Sequence, residues 1–279
     1  MHTMTTLLPD PGDTWFWQQG PGGLCCLSPG WEDQGVTAAF SSRLGGCSAE
    51  PYAGLNLGLH VGDSERDVLE NRRLFLAALA CSPEQCVVAE QIHKTGIAEV
   101  DETRGGAGMS DLASVLPGCD ALAARDSVGL MAFFAGCVPL FFFDPKTRWI
   151  ALAHAGWRGS AAGMARAMVD FLCARGCRAS DLLAAIGPCV GACCYEVDEK
   201  TAAAFRTQIP GFEQYARRLD NGKYTLALQE INRLELLRAG LRDSQISRAS
   251  LCTCCHSDLF FSYRQHDRTG RMAAFIRSK

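Results

Sequence analysis

The apolar run from Val128 to Phe143 is the feature that most constrains the fold of this chain. It is shorter than the roughly 20 apolar residues that a membrane-spanning helix needs, and glycines and a proline interrupt it. We therefore interpret it as two buried strands, or as one strand with a sharp bend at Gly136 and Cys137. The stretch RWIALAHAG (148–156) has apolar residues on both faces and predicts another buried strand.

Helical patterns separate the predicted strands at irregular intervals. The segment DSERDVLENRRLFLAALA (63–80) carries an apolar stripe, and we expect Ser64 to cap its start. Further helices are predicted at 82–85, 159–176, 198–208 and 225–240. This irregular alternation indicates a mixed α/β (α+β) fold rather than a clean doubly wound sheet.

Three other segments complete the expected organisation. The segment CVVAEQIH (86–93) predicts a strand that ends at a histidine, and residues 260–276 predict two strands around a polar turn. The glycine-containing stretch 103–118 predicts a long loop, which is either a lid or an ordinary surface excursion.

The composition excludes several classes of function. A net charge of −3 gives no general affinity for nucleic acid or for an anionic membrane. The N-terminal MHTMTTLLPDPGDTW lacks a basic stretch followed by an apolar one, so we do not expect a secretory signal. The 15 cysteines are an odd number in a chain of 279 residues, which favours free thiols in a reducing compartment. We therefore expect a soluble, cytoplasmic protein.

Three metal-competent side chains lie where predicted buried strands end: His93, Cys137 and His154. Two imidazoles and one thiolate are suitable zinc ligands, and three protein ligands leave a fourth position open for water, as in catalytic zinc sites. Each histidine taken alone is more often a hydrogen-bonded or capping residue. The three are far apart in sequence, so their spacing alone does not establish a site.

Two cysteine-rich segments are further candidates for metal binding or catalysis. CTCCH (252–256) packs three cysteines and a histidine into five residues. Because that spacing is too tight for one ion, we do not expect a zinc site there. GPCVGACCYE (187–196) either places a thiol near the site or forms a packed turn.

Arginines in three turns are candidates for anion binding. Arg43 follows a predicted strand, Arg158 lies where a helix begins, and Arg264 lies in FSYRQHDRTGR (261–271). The planar guanidinium suits phosphate or carboxylate, and amide groups at a helix start favour an anion near Arg158. At least half of such arginines are expected to be solvated surface residues.

Several motifs resemble, in this order, those of the YfiH family, whose members are called laccase-domain or polyphenol oxidase proteins and multi-activity purine nucleoside enzymes. They are FSSRLGGCSAEPYAGLNLGLHVGD, QIHKTG, CDALAA, GCVPLFFFD, HAGWRG, GPCVGACCYEV and FFSYRQHDRTGR. The resemblance extends from about Val36 to Ile276. It implies one domain over residues 1–279, built of mixed β-sheets layered with helices.

The resemblance also implies a zinc site on His93, Cys137 and His154, the same three residues reached above. It suggests that Arg43, Asn56 and Arg264 line the pocket. The implied activities are phosphorolysis of adenosine, inosine and methylthioadenosine, and hydrolytic deamination of adenosine. The partners would be a nucleoside and phosphate. One departure concerns the residue before Cys137, which is usually Asp in the family and is Gly136 here.

The residues that would move protons are less defined by the sequence. In deamination, zinc would lower the pKa of water toward 7, and an acid or base must then protonate the leaving ammonia. Asp120 is our candidate for that role, and Glu90 is a weaker one. In phosphorolysis, Arg43 and Arg264 would hold the phosphate that attacks C1′ of the ribose.

Three alternatives stay open. A four-copper oxidase needs on the order of ten histidines, many in H-x-H pairs. The six histidines of this chain, without any H-x-H pair, exclude that class. Weak phenol oxidation by copper in a His2Cys site stays open. A cysteine hydrolase or amidase acting on cell-wall peptide precursors would use Cys137 as nucleophile and His154 or His93 as its base. A non-enzymatic metal-binding module is the third alternative.

No heptads or large apolar stripe indicate an oligomeric state.

Overall fold

Two six-stranded sheets form the framework of the computed structural model, which describes residues 8–12 and 14–279. The strands of the first sheet, in spatial order, are β1 (Phe16–Gln19), β2 (Cys25–Ser28), β3 (Val36–Ser41), β15 (Met272–Ser278), β7 (Gly129–Phe134) and β4 (Cys86–Val88). Those of the second sheet are β14 (Ile246–Arg248), β10 (Leu183–Ile186), β8 (Val138–Phe143), β9 (Ile150–Ala155), β6 (Ala121–Ala124) and β5 (Ile97–Glu99). Both sheets mix parallel and antiparallel pairs.

A small third sheet and the helices complete the described residues. The third sheet contains β11 (Glu196–Val197), β13 (Tyr224–Leu226) and β12 (Ala216–Arg218). The α-helices are α1 (Glu65–Ala78), α2 (Trp157–Ala161), α3 (Met164–Cys173), α4 (Glu199–Arg206) and α5 (Leu228–Arg238). These elements confirm the mixed α/β class.

The alternating side chains of the central strands explain why their sequences are apolar on both faces. In β8, Phe141 and Phe143 pack between the two large sheets, whereas Leu140 and Phe142 pack against the helical layer of α3, α4 and α5. The strands β7 and β15 show the same division in the first sheet, whose outer face α1 covers. The order of layers is therefore α1, first sheet, second sheet, and the remaining helices. Every central strand is buried on both sides.

The helices follow the sequence patterns closely. The Ser64 hydroxyl accepts a hydrogen bond from the Asp67 amide at 3.4 Å and caps α1 as expected. The predicted helix at 159–176 is divided into α2 and α3 by Gly163, whose φ of 79° leaves the helical region. The apolar run 128–143 forms two strands, as one of the two interpretations stated, and the two strands belong to different sheets.

Two strand predictions were too long. The segment 86–93 is a strand only as far as Val88, and His93 lies in a loop beyond it. In the segment 260–276, only β15 is a strand, because residues 260–271 form turns and loops instead.

Most of the predicted long loop 103–118 is exposed, but Gly108 and Met109 in its middle are buried. The buried Arg72 donates hydrogen bonds to the carbonyls of Gly108 and Met109, at 2.8 and 2.7 Å, and Met109 packs beneath the first sheet. The buried middle of this surface loop is therefore anchored to α1.

No helix among the described residues is long and apolar enough to cross a membrane. The N-terminal segment that we did not interpret as a secretory signal lies partly outside the described residues.

Candidate functional site

His93, Cys137 and His154 converge at one end of the second sheet. Their ligand atoms all lie within 4.8 Å of one another. His154 is the penultimate residue of β9 and pairs with Pro139 of β8, so Cys137 enters the sheet beside it. The rings of His93 and His154 are 4.9 Å apart and nearly perpendicular. Sequence-distant residues thus form one cluster because β8 and β9 are hydrogen-bonded neighbours.

The loop that carries His93 is held by two side-chain anchors. The Gln91 side chain exchanges two hydrogen bonds with the backbone of Phe133, each 2.8 Å long, and so continues the pairing of β4 with β7. The backbone then turns through positive φ at Gln91 and His93, 61° and 60°, which non-glycine residues seldom adopt. The turn brings the His93 imidazole over Cys137.

Asp120 is the second anchor and orders both histidines. Its carboxylate accepts hydrogen bonds from the amides of His93 and Lys94, at 2.7 and 2.8 Å, and contacts His154 Nδ1 at 3.0 Å. The bond to Nδ1 leaves Nε2 of His154 free to act as a ligand. Asp120 is fully buried and its contacts position both histidines. Its role as a proton donor stays a prediction.

Charge interactions dominate the electrostatics of the cluster. Burial alone raises the pKa of the Cys137 thiol, but His154 and His93 outweigh this effect and lower the pKa to about 6. Burial alone lowers the pKa of His154, but Cys137 and Asp120 outweigh it and raise the pKa to about 9. Cys137 and His154 therefore form a thiolate–imidazolium pair near neutral pH in the metal-free chain.

Two glycines shape the surroundings of Cys137. A Cβ added at Gly156 would lie 3.1 Å from Cys137 Sγ and 3.1 Å from His93 Cδ2, so the cluster is closely packed on that side. Gly136 has φ of 128°, a conformation that L side chains rarely adopt. The backbone itself therefore accounts for glycine where the family usually has Asp.

Two cavities meet at the cluster, and His93, Cys137 and Tyr263 line both. The first, of about 590 Å³, has mainly apolar walls with one carboxylate and one guanidinium, and its lining includes His60, Val88, Glu90, Leu112, Val115, Phe133, His154 and Arg271. The second, of about 500 Å³, is lined by Arg158, Arg264, Trp157, Tyr195, Val190 and Asp267. The cluster thus lies between a mainly apolar cavity with one arginine and a cavity with two arginines.

The predicted arginines divide into two groups. Arg158 and Arg264 line the second cavity, with their guanidinium groups stacked 4.3 Å from the ring of Trp157 and 4.7 Å from that of Tyr195. Arg43 instead donates to the carbonyls of Ser257 and Ala53 at 3.0 and 3.1 Å.

The side-chain amide of Asn56 is also engaged by protein groups, one of which, Arg271, lines the first cavity. Its nitrogen donates to Asp63 at 2.8 Å, and its oxygen accepts from the amides of Gly58 and Arg271 at 3.1 and 2.9 Å. Neither Arg43 nor Asn56 is among the described residues that line the two cavities.

Sequence reasoning missed the aromatic and loop residues of the site. Tyr195 and Tyr263 line the second cavity, and Leu112 and Val115 bring the loop 103–118 to the first. The only sequence signal for Tyr195 is its place in GPCVGACCYE, where the cysteines were the predicted functional residues. Tyr263 and Leu112 are large side chains left 56% and 48% exposed, which a sequence pattern does not reveal.

The donor chemistry of the cluster suits a divalent cation. Two imidazole nitrogens and one thiolate fit zinc, and the same set also accepts copper. Of the two groups of potential metal ligands in the described residues, one contains two histidines and the other contains none. Neither provides the set of histidines that a four-copper oxidase requires.

A mixed α/β fold with a His2Cys cluster between two cavities is typical of a small-molecule enzyme with a metal centre. The chain belongs to the family described as multi-copper polyphenol oxidoreductase laccase, whose model matches residues 37–279. This family includes the YfiH proteins that the sequence motifs resemble.

Three relatives illustrate the similarity. The chain is 42% identical to the purine nucleoside phosphorylase YlmD of Geobacillus stearothermophilus, over 94% of this chain and 96% of the relative. It is 30% identical to the adenosine deaminase RL5 of an unknown prokaryotic organism, over 83% and 89% of the two chains. The crystal structure of the Bacillus licheniformis hypothetical protein YfiH superposes with a TM-score of 0.89 at 35% identity, covering 94% of this chain and 99% of that one.

Proposed function

We propose that this chain is a purine nucleoside phosphorylase that also deaminates adenosine, with a zinc ion on His93, Cys137 and His154. The names of the relatives support the reaction class, and the junction of a mainly apolar cavity and a cavity with two arginines at these three residues is the observation that carries the proposal. The substrates would be phosphate and adenosine, inosine or methylthioadenosine.

The first cavity fits the purine base. Val88, Leu112, Val115 and Phe133 provide apolar surface for a flat heterocycle, and Glu90 provides a carboxylate at the same wall. One oxygen of Glu90 accepts the Gly118 amide at 2.7 Å, which fixes the side chain at the rim. Glu90 is therefore better placed than the buried Asp120 to exchange a proton with a base.

The second cavity fits phosphate. Arg158 and Arg264 present two permanent positive charges beside Cys137, and each is held in place by stacking on an aromatic ring. These side chains would bind the phosphate and stabilise the charge that develops as it attacks C1′ of the ribose. Arg43 and Asn56, which the family resemblance placed in the pocket, do not line either cavity, although the Asn56 oxygen accepts a hydrogen bond from the amide of Arg271, a residue of the first cavity.

Asp120 fixes the orientation of the side chains that would bind the metal ion. Asp120 holds the His154 ring and the His93 backbone, and a bound Zn²⁺ would supply a Lewis acid that lowers the pKa of water toward about 7. Cys137 and the two histidines would hold that ion, and the apolar walls of the first cavity would limit the access of bulk water.

The experiment that tests this proposal is a product assay on adenosine, with and without phosphate. Adenine released only with phosphate would establish phosphorolysis, and inosine would establish deamination. The double variant Arg158→Ala/Arg264→Ala should raise the KM for phosphate about tenfold or more, because each charge-assisted contact contributes about 1.5–3 kcal/mol. Deamination should be affected much less.

Two controls make the assay specific. Arg166→Ala removes an exposed arginine of α3 that pairs with Asp170 far from the cavities, and should leave both reactions unchanged. His154→Ala should abolish turnover. Full turnover by His154→Ala, or release of neither base nor inosine by the zinc-loaded wild type, would refute the proposal.

A cysteine hydrolase or amidase is a second candidate, favoured by one observation. Cys137, His154 and Asp120 stand in the order of nucleophile, base and orienting carboxylate that cysteine hydrolases use. Zinc on these residues would block that chemistry. A covalent acyl adduct on Cys137 of the metal-free chain with a peptide amide substrate, seen by mass spectrometry, would favour this alternative.

Copper in the same site would support at most a weak phenol oxidation. The His2Cys donor set accepts copper, and the copper-loaded chain is the form in which oxygen consumption with a phenol should be measured. Absence of that consumption would remove this side activity.

A further inference from the structure

A second group of four thiols lies apart from the candidate site. The ligand atoms of Cys193, Cys194, Cys252 and Cys255 all lie within 4.8 Å of one another. Cys255 Sγ is 3.4 Å from the sulfur atoms of both Cys193 and Cys194. We call these four residues the thiol cluster.

The thiol cluster uses two of the cysteines of CTCCH in a spacing that the expectation drawn from this segment did not consider. Only Cys252 and Cys255 of that segment join the cluster, and they have the C-x2-C spacing of a zinc knuckle. Cys254 turns away and packs in the core beneath the helices. The second pair, Cys193 and Cys194, comes from the turn GPCVGACCYE. The spacing is too tight when Cys252, Cys254 and Cys255 must all bind one ion, but not when only Cys252 and Cys255 do.

The backbone around the cluster is built to hold thiolates together. The amide of Gly191 donates a hydrogen bond to Cys252 Sγ at 3.1 Å. The two segments are joined by a parallel bridge between Cys189 and Cys252, and the Thr253 amide donates to the Cys189 carbonyl at 2.9 Å. Amide-to-sulfur hydrogen bonds and rigid flanking backbone orient metal ligands.

The distances favour a shared ion over a disulfide. Four sulfur atoms around a tetrahedral zinc, each at about 2.3 Å from the metal, lie roughly 3.8 Å apart. The separations of 3.4 Å and the limit of 4.8 Å bracket that value. A disulfide would require sulfur atoms about 2.0 Å apart. All four cysteines are free in this structure.

We propose that Cys193, Cys194, Cys252 and Cys255 bind one zinc ion in a closed, four-thiolate structural site. With no position left for water, this site would not react. It would instead join the segment that carries Val190 and Tyr195 to the segment that leads to Tyr263 and Arg264, which are walls of the second cavity. The ion would thus fix cavity walls that come from distant parts of the chain. This inference does not depend on the proposed nucleoside chemistry.

The test is the zinc content and coordination of the full-length protein purified under reducing conditions. With both sites filled, wild type should contain two zinc ions per chain, Cys252→Ser/Cys255→Ser should contain one, and His154→Ala should contain one. The double variant Cys47→Ser/Cys173→Ser, which replaces two exposed cysteines outside the cluster, is the matched control and should keep two.

X-ray absorption at the zinc edge separates this inference from the first proposal. The zinc left in His154→Ala should have only sulfur neighbours, at about 2.3 Å, without the nitrogen shell at about 2.0–2.1 Å. This measurement decides the question even if Cys252→Ser/Cys255→Ser fails to fold. A His154→Ala protein free of zinc, a thiol-cluster variant that keeps the zinc content of wild type, or a disulfide among the four cysteines would overturn the inference. Loss of the His2Cys ion alone would refute only the first proposal.

Discussion

At the scale of single residues, the site is defined by how Asp120 is used. The sequence placed a carboxylate in CDAL but could not show that its oxygens are already occupied by His93, Lys94 and His154. A fully buried carboxylate with these partners orders its neighbours. Cys137, whose neighbour His154 is held by this carboxylate, lines both cavities.

We predict that Cys137 of the metal-free chain is alkylated by iodoacetamide with a midpoint near pH 6, since its pKa is lowered to about 6. The thiolate should dominate above that pH and the unreactive thiol below it. Cys177, whose pKa burial raises to about 11, should stay unmodified up to about pH 8 and serves as an internal control.

The reagent uptake of each cysteine is measured by peptide mass spectrometry as a function of pH. In His154→Ala the midpoint for Cys137 should rise, because the largest favourable charge is removed. A wild-type midpoint near the ordinary value of 9.0 would show that no thiolate–imidazolium pair forms.

At the scale of elements, sequence patterns predicted helices well and strand ends poorly. The start of α1 was predicted correctly because its apolar stripe and cap are local features. The strand 86–93 was drawn too long because the Gln91 amide, and not the backbone, continues the pairing with Phe133. Such contacts join residues far apart in sequence, so periodicity does not reveal them. The loop 103–118 was ambiguous for the same reason, since Arg72 anchors it from α1.

We predict that Arg72→Met lowers the free energy of unfolding by about 2–4 kcal/mol, because buried charge-assisted hydrogen bonds to the loop are lost. The loop carbonyls of Gly108 and Met109 would lose their donors, and proteolysis within 103–118 should accelerate. Arg73→Met is the matched control, since the neighbouring Arg73 is exposed and, among the described residues, pairs with Glu70 alone.

Denaturant unfolding and limited proteolysis measure these two effects. The Arg73 variant should differ from wild type by less than about 0.5 kcal/mol, as exposed ion pairs contribute little. Equal stability of the two variants would mean that Arg72 does not anchor the loop.

At the scale of the whole molecule, the cluster joins the two large sheets. His93 follows β4 of the first sheet, Cys137 lies on the crossover from β7 to β8, and His154 belongs to β9 of the second sheet. The sequence could name these residues from their chemistry and from the family motifs, but not their convergence, which depends on the pairing of β8 with β9. That residues 1–279 form one domain, and that the chain binds neither nucleic acid nor membrane, stay predictions.

We predict that zinc bound by His93, Cys137 and His154 raises the free energy of unfolding, because its ligands come from segments of both large sheets. A ligand at a hundred times its Kd adds about 2.7 kcal/mol to the stability of the folded state. Removal of metal by a chelator should therefore lower the Tm of wild type by several degrees. The decrease should be smaller for His154→Ala, which keeps only the thiol cluster.

Differential scanning calorimetry with and without chelator gives both changes. The same treatment of Cys252→Ser/Cys255→Ser isolates the contribution of the His2Cys ion. Identical decreases in Tm for wild type and His154→Ala would show that no metal on His93, Cys137 and His154 links the two sheets.

The glycine at position 156 sets a limit on how this centre could be redesigned. Its backbone is in an ordinary extended conformation, so an alanine would be tolerated there by the main chain. One methyl group would nevertheless lie 3.1 Å from both the sulfur of Cys137 and the imidazole of His93, so these two side chains would have to shift by a few tenths of an ångström. Mutational libraries aimed at new substrates should therefore keep this position fixed and vary the outer cavity walls, where side chains can change without displacing a ligand.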